Sequence, residues 1–285
     1  MKHYDVVIIG GGTAGIFAAY ELNHLHPELK IAMIERGNPI RKRVCPIIAG
    51  KTKSCVGCAS CCIMNGFGGA GAFSDGKFNF TTEFGGWLHD YLSPDEVMML
   101  IEYVDSVNIR FGATTERFST YSPEAAELEK QALHHDLHLL KAAVKHLGTE
   151  KNLKILSNMA EDLSGKADIF CNMEVEEILP REDGLYELAA SGTERFLCTY
   201  LIVAPGRSGA EWFSSECKRM GINLINNQVD IGVRVELPAA VFEHITDVVY
   251  EAKLVYRTKQ YGDSVRTFCM NPYGHVVTEN VDGII

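Results

Sequence analysis

The feature that most constrains this chain lies at its N-terminus, where a short apolar run leads directly into three closely spaced glycines. The run from Tyr4 to Ile9 has the length and β-branched content of a buried strand, and the residues from Ala14 to about Leu25 are typical of a helix. Gly10, Gly12 and Gly15 stand between the two in the spacing G-x-G-x-x-G. The sequence therefore predicts a strand, a glycine-rich turn and a helix in immediate succession.

Each glycine has a physical task if this turn binds a dinucleotide. Gly10 allows the tight turn, Gly12 lets the backbone approach a pyrophosphate, and Gly15 lets the helix pack against the strand. The helix N-terminus offers free N–H groups and a positive dipole end to phosphates. A second predicted strand, Leu29 to Ile34, ends at Glu35, which would accept hydrogen bonds from ribose hydroxyls. A glycine-rich turn in another kind of α/β protein is the alternative, and the acid at this distance disfavours it.

A second segment distinguishes FAD from NAD. Leu201 to Gly206 is an apolar strand that ends in A-x-G, and turn-rich strand patterns precede it. This arrangement resembles the second fingerprint of flavoproteins with two dinucleotide-binding domains. The resemblance implies that the chain leaves the first β-α-β unit, passes through a β-meander and returns to the sheet at this strand. It also implies adenine contacts from the backbone of Asn172 to Val175. A buried strand that merely ends in a turn is the alternative.

Four further segments resemble a poorly characterised family of FAD-dependent dehydrogenases: Gly66 to Lys77 (GFGGAGAFSDGK), Ala204 to Gly209, Gly232 to Glu236 and Phe268 to Pro272. The resemblance implies an FAD enzyme whose substrate the family does not reveal. Members of this family are longer and return to the FAD domain near the C-terminus with a further glycine-acid segment. This sequence lacks that segment, so the resemblance implies a C-terminally truncated chain.

The predicted fold class is α/β: a Rossmann-like FAD-binding domain with a β-meander, plus a smaller mixed α+β substrate-side region. The FAD-binding domain is expected at residues 1–80 and 155–220. The substrate-side region is expected at 81–154 and 221–285, incomplete at the C-terminus. In that region Ser93 and Pro94 predict the start of one helix. Ser122 predicts the start of another, whose leucine spacing continues to Leu147. The last 65 residues are predicted to be largely β, with candidate strands at Asp230 to Leu237, Ala252 to Tyr256 and Val265 to Met270.

The glycine-rich segments and the resemblance together give a set of expected cofactor contacts, and no residue pattern indicates a catalytic acid or base. The Gly66 to Lys77 loop is included because closely spaced glycines let backbone N–H groups approach a ring or a phosphate. The expected FAD-binding residues are Gly10, Gly12, Thr13, Ala14, Gly15, Glu35, Arg36, Gly68, Gly69, Ala70, Gly71, Val175, Ala204, Gly206 and Arg207.

Five of the nine cysteines lie between Cys45 and Cys62. Cys55, Cys58 and Cys61 are separated by two residues each, and Cys45 precedes a proline. Bacterial ferredoxin sites show the same spacing and the same Cys-Pro pair in another order. The spacing predicts that Cys45, Cys55, Cys58 and Cys61 ligate a [4Fe–4S] cluster. A zinc site with the same four thiolates, a redox dithiol (Cys58 with Cys61, or Cys61 with Cys62) and inert thiols remain alternatives.

Composition narrows the classes of function. The formal net charge of −10 argues against nucleic-acid binding. The basic cluster Arg41, Lys42, Arg43, Lys51 and Lys53 is interpreted as a solvated loop. No stretch reaches the ~18 apolar residues of a membrane span, and the N-terminal pattern does not resemble a signal peptide, so a cytoplasmic protein is expected.

The resulting prediction is an FAD-dependent oxidoreductase that transfers hydride or electrons through its flavin. NAD(P)H is a candidate donor, and the partner is a small-molecule substrate or an electron carrier. The alternative is a non-catalytic FAD-binding fragment, or a redox or metal sensor. The sequence does not indicate the substrate or the oligomeric state.

Overall fold

The computed structural model describes residues 1–274, 276–280 and 283–284, and it divides the chain into two compact units. The first unit comprises Met1–Ser74, Asn152–Val229 and Val277–Ile285, and the second comprises Asp75–Lys151 and Asp230–Val276. The assignment of FAD binding to one unit and of substrate binding to the other stays a prediction.

The described residues form twelve strands and six α-helices. In chain order these are β1 (Lys2–Ile9), α1 (Thr13–Leu25), β2 (Ile31–Glu35), β3 (Lys77–Phe80), α2 (Pro94–Arg110), β4 (Phe118–Ser119), α3 (Pro123–Leu133), β5 (Leu137–Leu139), β6 (Ala143–His146), α4 (Thr149–Leu163), β7 (Asp168–Cys171), β8 (Val175–Pro180), β9 (Tyr186–Ala190), β10 (Glu194–Val203), α5 (Ala210–Arg219), α6 (Ala239–Val249), β11 (Leu254–Arg257) and β12 (Ser264–Arg266).

A six-stranded sheet in the order β7-β2-β1-β10-β9-β8 forms the centre of the first unit. β1 pairs in parallel with both β2 and β10, and β2 pairs in parallel with β7. β10, β9 and β8 are joined by antiparallel pairing, which makes them a meander. This topology confirms the predicted α/β class with a Rossmann-like parallel sheet and a β-meander.

The central position of β1 follows from its sequence. Val7 and Ile8 point to opposite faces of the sheet, and both are fully buried, as expected for a parallel strand covered on both faces. Val7 lies opposite Ala32 of β2 and Leu201 of β10. Together with Leu188 and Phe196 of the meander, Tyr4, Val7 and Ile9 of β1 form one hydrophobic cluster. Each fully buried aliphatic side chain contributes about 1.5–3 kcal/mol, so this cluster fixes the strand order.

The second unit contains two three-stranded antiparallel sheets, β12-β11-β5 and β3-β6-β4. A small core, which includes Ala125 of α3, Leu139 of β5 and Val249 of α6, packs against the first of them. α2 begins as predicted: the Ser93 hydroxyl accepts the N–H of Glu96, and the Glu96 carboxylate accepts the N–H of Ser93 at 2.8 Å. The predicted capping box is therefore confirmed.

The predicted helix from Ser122 to Leu147 is wrong beyond Leu133. α3 ends there, and the chain then forms β5 and β6. Leu139 pairs with Leu254 of β11, so a partner more than a hundred residues away overrides the helical spacing of the leucines. α4, which follows Gly148, was not predicted.

Two other strand predictions also need correction. The apolar pattern from Asp168 to Ile178 predicts one continuous strand, but the structure has two, β7 and β8, because Asn172 has a φ of +55° and interrupts the extended chain. Asp230 to Leu237 forms no strand although its apolar residues alternate, and α6 follows it instead of further β structure. In the part of the chain that the structure describes, no helix is both long and apolar enough to cross a lipid bilayer.

Candidate functional site

Two glycine-rich segments of the first unit meet at the carboxyl end of β1. Gly10 has a φ of +103°, and a Cβ placed on it would lie 2.1 Å from the carbonyl oxygen of Ala204. The N–H of Ala204 in turn donates to the carbonyl of Ile9 at 2.8 Å. Only glycine tolerates both this backbone conformation and this contact. The first glycine turn and the end of β10 are therefore in direct contact.

A third segment, Gly66 to Gly71, packs onto the same turn. The N–H of Gly68 donates to the carbonyl of Gly11 at 2.7 Å, and a Cβ on Gly69 would lie 3.0 Å from the Cα of Gly12. On the side of Gly12 the nearest atom to an added Cβ would be the Cα of Gly69, at 3.9 Å. The two glycine segments are thus in close backbone contact, and the Cβ direction of Gly12 is free of crowding.

The N-terminus of α1 faces this region. Among the described residues no side chain caps the helix at Gly12, and its first turn carries no acidic residue. The first N–H groups of a helix have no intrahelical partner, so those of Thr13 and Ala14 can bind water or an anion. A Cβ on Gly15 would lie 1.9 Å from the carbonyl oxygen of Gly10, which explains the close packing of helix and strand.

The sheet topology marks the same position. From β1 the chain passes to β2 on one side, whereas β10 joins β1 on the other side, so the order reverses between β1 and β10. In open α/β sheets ligands bind at such a switch point, beyond the carboxyl ends of the strands. The structure brings together at this edge all but one of the residues expected to contact FAD: Gly10, Gly12, Thr13, Ala14, Gly15, Glu35, Arg36, Gly68, Gly69, Ala70, Gly71, Ala204, Gly206 and Arg207.

Val175 is the exception. It begins β8, its side chain is buried in the hydrophobic cluster, and its backbone lies opposite Ala190 in the meander. The chain just before it does reach the site edge, because the N–H of Met173 donates to the carbonyl of Glu35 at 3.1 Å. An adenine contact from Val175 stays a prediction.

Glu35 has a structural role that the sequence did not reveal. Its buried carboxylate accepts the backbone N–H groups of Gly11, Gly37 and Gly66, each at 2.8 Å. A carboxylate can accept about four hydrogen bonds, so one position remains for a further donor. The expected contact with a ribose stays a prediction. No pattern of local spacing signals these three partners.

Arg43 corrects the interpretation of the basic cluster as a solvated loop. Its side chain is buried, with 5% of the residue exposed. The guanidinium donates to five backbone carbonyls, those of Cys62, Ile63, Gly66, Phe67 and Gly69. Burial lowers the pKa of Arg43 to about 10, although the nearby charges of Glu35, Cys62 and Cys61 oppose that shift. Arg43 therefore joins the end of the cysteine-rich segment to the third glycine segment.

The five clustered cysteines lie around one recess in the first unit. In the described residues all nine cysteines are free thiols. Burial, and then the charges of the other four clustered thiols, raise the pKa of Cys58. No three His, Cys, Asp or Glu side chains of residues 1–274, 276–280 and 283–284 converge closely enough to hold a single metal ion. The recess is lined by Cys45, Pro46, Ile47, Cys55, Val56, Cys58, Cys61, Cys62, Thr278 and Asn280.

The second unit contains a buried charged cluster, in which Glu251 lies between Lys77 and Lys253. All three side chains are at least nine-tenths buried. Burial raises the pKa of Glu251, but hydrogen bonds from Lys253 and Lys77 outweigh it and leave that pKa below its usual value. The carboxylate is therefore charged at neutral pH and paired with two ammonium groups.

Tyr250, next to this cluster, has a strained backbone conformation. Its φ is +57°, which is a costly conformation for a bulky residue. Its ring stacks on His146 with a centroid separation of 4.3 Å. Burial raises the pKa of the Tyr250 phenol and lowers that of His146, so both are neutral at pH 7. The buried Tyr250 hydroxyl and His146 Nε2 have no hydrogen-bond partner within the described residues. No residue pattern in the sequence indicates this pair.

No protein-family model and no curated protein matches this chain. Three solved structures are similar to it in part. The L-amino acid deaminase from Proteus vulgaris has 12% identity and a TM-score of 0.46, over 78% of this chain and 51% of that one. The FAD-bound L-α-glycerophosphate oxidase from Mycoplasma pneumoniae has 17% identity and a TM-score of 0.45, over 76% and 58%. The glycine oxidase from Geobacillus kaustophilus has 18% identity and a TM-score of 0.43, over 79% and 60%.

The chain thus spans between 51% and 60% of the length of these three proteins. Similarity at these TM-scores does not indicate an activity for this chain. The fold assignment rests on the strand order and register of this chain itself.

Proposed function

We propose that this chain is an FAD-dependent oxidoreductase that transfers hydride or electrons through its flavin, with a small-molecule substrate or an electron carrier as partner. The observation that carries the proposal is the meeting of three glycine-rich segments at the switch point of the sheet. The return of the chain through a meander to β10, and the resemblance of Gly66 to Lys77 to FAD-dependent dehydrogenases, support FAD over NAD as the resident dinucleotide.

The residues at this edge fit such a cofactor. The free N–H groups of Thr13 and Ala14 suit a pyrophosphate, and Gly12 with Gly69 leaves room for its approach. Glu35 has one acceptor position left for a ribose hydroxyl. When bound, FAD supplies the hydride and one-electron chemistry, and the chain binds and orients it. NAD(P)H is the proposed donor.

The second candidate is a non-catalytic FAD-binding protein that senses redox state or a metal. This candidate would use the recess with its five thiols, because such a group of thiols can change its oxidation state without any substrate. Anaerobic mixing with NADH or NADPH distinguishes the two. Bleaching of the flavin, followed by turnover with an electron acceptor, supports the enzyme. Stoichiometric flavin that no donor reduces supports the sensor.

The substitution Gly12→Ala tests the cofactor site. An added Cβ would find only the Cα of Gly69 at 3.9 Å, so the chain itself accommodates it, whereas a bound pyrophosphate would meet it. We expect FAD affinity to fall at least tenfold in a titration of flavin fluorescence, with an unchanged free energy of unfolding in the absence of flavin. Gly232→Ala, also in open space but outside the site, is the control. FAD binding by Gly12→Ala at the strength of the unsubstituted chain would overturn the proposed site.

A further inference from the structure

We propose that the recess in the first unit holds a [4Fe–4S] cluster ligated by Cys45, Cys55, Cys58 and Cys61, and that Cys62 is not a ligand because the surrounding chain fixes it. A role of this cluster as a second redox centre rests on the proposed function. The cluster itself is inferred from the arrangement of the thiols.

The positions of the thiols around the recess favour an iron–sulfur cluster over a single metal ion. A structural zinc ion needs four ligands that converge on one point, with sulfur atoms about 2.3 Å from the metal. In the described part of the chain no three cysteines converge in this way, yet all five line the same recess. A cubane cluster takes one thiolate at each iron, so its ligands surround a shared volume. The observed arrangement therefore fits a cluster better than zinc.

The local backbone lets the ligands face this volume. Gly57, between Cys55 and Cys58, has a φ of +62°, which turns the chain tightly between the two thiols. The carbonyl of Cys61 accepts the N–H groups of Met64 and Asn65, which holds that end of the segment in a turn. Pro46, Ile47 and Val56 contribute apolar atoms to the lining of the recess, while Val56 and Cys58 are themselves exposed.

Cys62 differs from the other four. Its sulfur accepts a hydrogen bond from Asn38 Nδ2 at 3.5 Å. Its carbonyl oxygen accepts two from the Arg43 guanidinium, at 3.0 and 2.8 Å. Both the side chain and the backbone are thus held by the buried framework. Among the proposed ligands, Cys55 also has an amide neighbour, Asn280 Nδ2 at 3.9 Å. An N–H group this close to a ligating sulfur would tune the cluster potential.

The test compares Cys58→Ala with Cys62→Ala, a matched pair from the same recess. Each protein is purified without oxygen, and iron, acid-labile sulfide, zinc and FAD are measured on the same sample. We expect about four iron and four sulfide ions per chain in the unsubstituted protein and in Cys62→Ala. Cys58→Ala is expected to lose the cluster or to retain incomplete iron. If a variant does not fold, the unsubstituted chain is reconstituted with ferrous iron and sulfide. Its ultraviolet–visible absorption spectrum then shows whether the cluster forms.

Each outcome has one meaning. Stoichiometric zinc, or a chain that takes up no iron on reconstitution, overturns the cluster. Iron lost equally from both variants overturns the assignment of Cys62. Flavin content is an independent readout: FAD without iron leaves the proposed function standing and removes the cluster, whereas iron without FAD does the reverse.

Discussion

The carboxylate of Glu35 accepts the backbone N–H of Gly66 at 2.8 Å. Between these two residues the chain passes through all five clustered cysteines and then returns to the end of β2. The same carboxylate binds the N–H of Gly11 in the first glycine turn. One buried side chain therefore closes the cysteine-rich segment and joins it to the proposed dinucleotide site.

Replacement of Glu35 by Gln tests this closure. Gln keeps one acceptor oxygen and turns an NH₂ group toward a backbone donor, so at least one buried N–H loses its partner. We expect the free energy of unfolding to fall by about 1–3 kcal/mol in urea titrations. Glu28→Gln, at an exposed position, is the control and should change it by less than about 0.5 kcal/mol. Equal effects in the two variants would contradict the closure.

Arg43→Lys tests the hydrogen bonds that the Arg43 guanidinium donates to backbone carbonyls between Cys62 and Gly69. The planar guanidinium reaches five carbonyl oxygens, whereas an ammonium group has three donors and a different geometry. Two or more buried carbonyls would lose their partner, so a loss of about 2–5 kcal/mol is expected in the same titration. Arg41→Lys, on the exposed side of the same turn, should leave stability unchanged. A stable Arg43→Lys protein with full cofactor binding would show that the guanidinium geometry is dispensable.

Glu251 makes stability depend on pH in a definite direction. Its pKa in the folded chain lies below the ordinary value of 4.5, because hydrogen bonds from Lys253 and Lys77 outweigh burial. Its stabilising contribution is therefore complete above pH 4.5 and disappears as the pH falls through the lower folded-state pKa. Urea titrations between pH 7 and pH 3 should show a weaker loss of stability for Glu251→Gln than for the unsubstituted chain.

At pH 7 the same variant leaves the buried ammonium group of Lys253 without its carboxylate and Lys77 with only Asp75, at 3.8 Å, so it should cost about 3–5 kcal/mol. Glu127→Gln, an exposed position in α3, is the control and should keep the pH dependence of the unsubstituted chain. Parallel pH curves for Glu251→Gln and the unsubstituted chain would contradict the assignment.

Tyr250→Phe should stabilise the chain. The buried hydroxyl of Tyr250 has no partner within the described residues, so its removal relieves a desolvation cost of about 1–3 kcal/mol. Tyr4→Phe is the matched control: the Tyr4 hydroxyl donates to Asp168 at 2.7 Å, and its loss should cost about 0.5–1.5 kcal/mol. Opposite signs of the two changes in melting temperature are the expected result. Destabilisation by Tyr250→Phe would mean that the hydroxyl is satisfied in the native chain.

The sequence predicted those parts of the fold whose signals are local. The strand, glycine turn and helix at the N-terminus follow from adjacent residues, and the capping box of α2 spans only Ser93 to Glu96. The region from Leu133 to Leu147 was mispredicted because leucines at helical spacing there also suit short strands, and only the distant partner β11 decides between them. Apolar alternation in Asp230 to Leu237 gives no strand, since no described strand pairs with it.

The candidate site was predictable to the same extent. Gly10, Gly15 and Gly69 mark it because each is required by the local turn, helix packing or a close backbone contact. The roles of Glu35 and Arg43 were not predictable, since all their partners are backbone atoms that any residue carries, and all of them except Gly37 lie between 19 and 31 residues along the chain. Tyr250 and His146 were missed for a related reason, because nothing in their sequence neighbourhoods indicates that the two rings stack.

The hydrogen bond between Glu35 and Gly66 also fixes both ends of the segment between them, beside β2 and the first glycine turn. Within this segment Arg43 is buried, whereas residues 48–51 and 56–59 are exposed. Loops tolerate insertions and exchanges at exposed positions at little thermodynamic cost. A protein engineer could therefore vary these two exposed stretches while Arg43, its carbonyl partners and the register of β2 stay as they are.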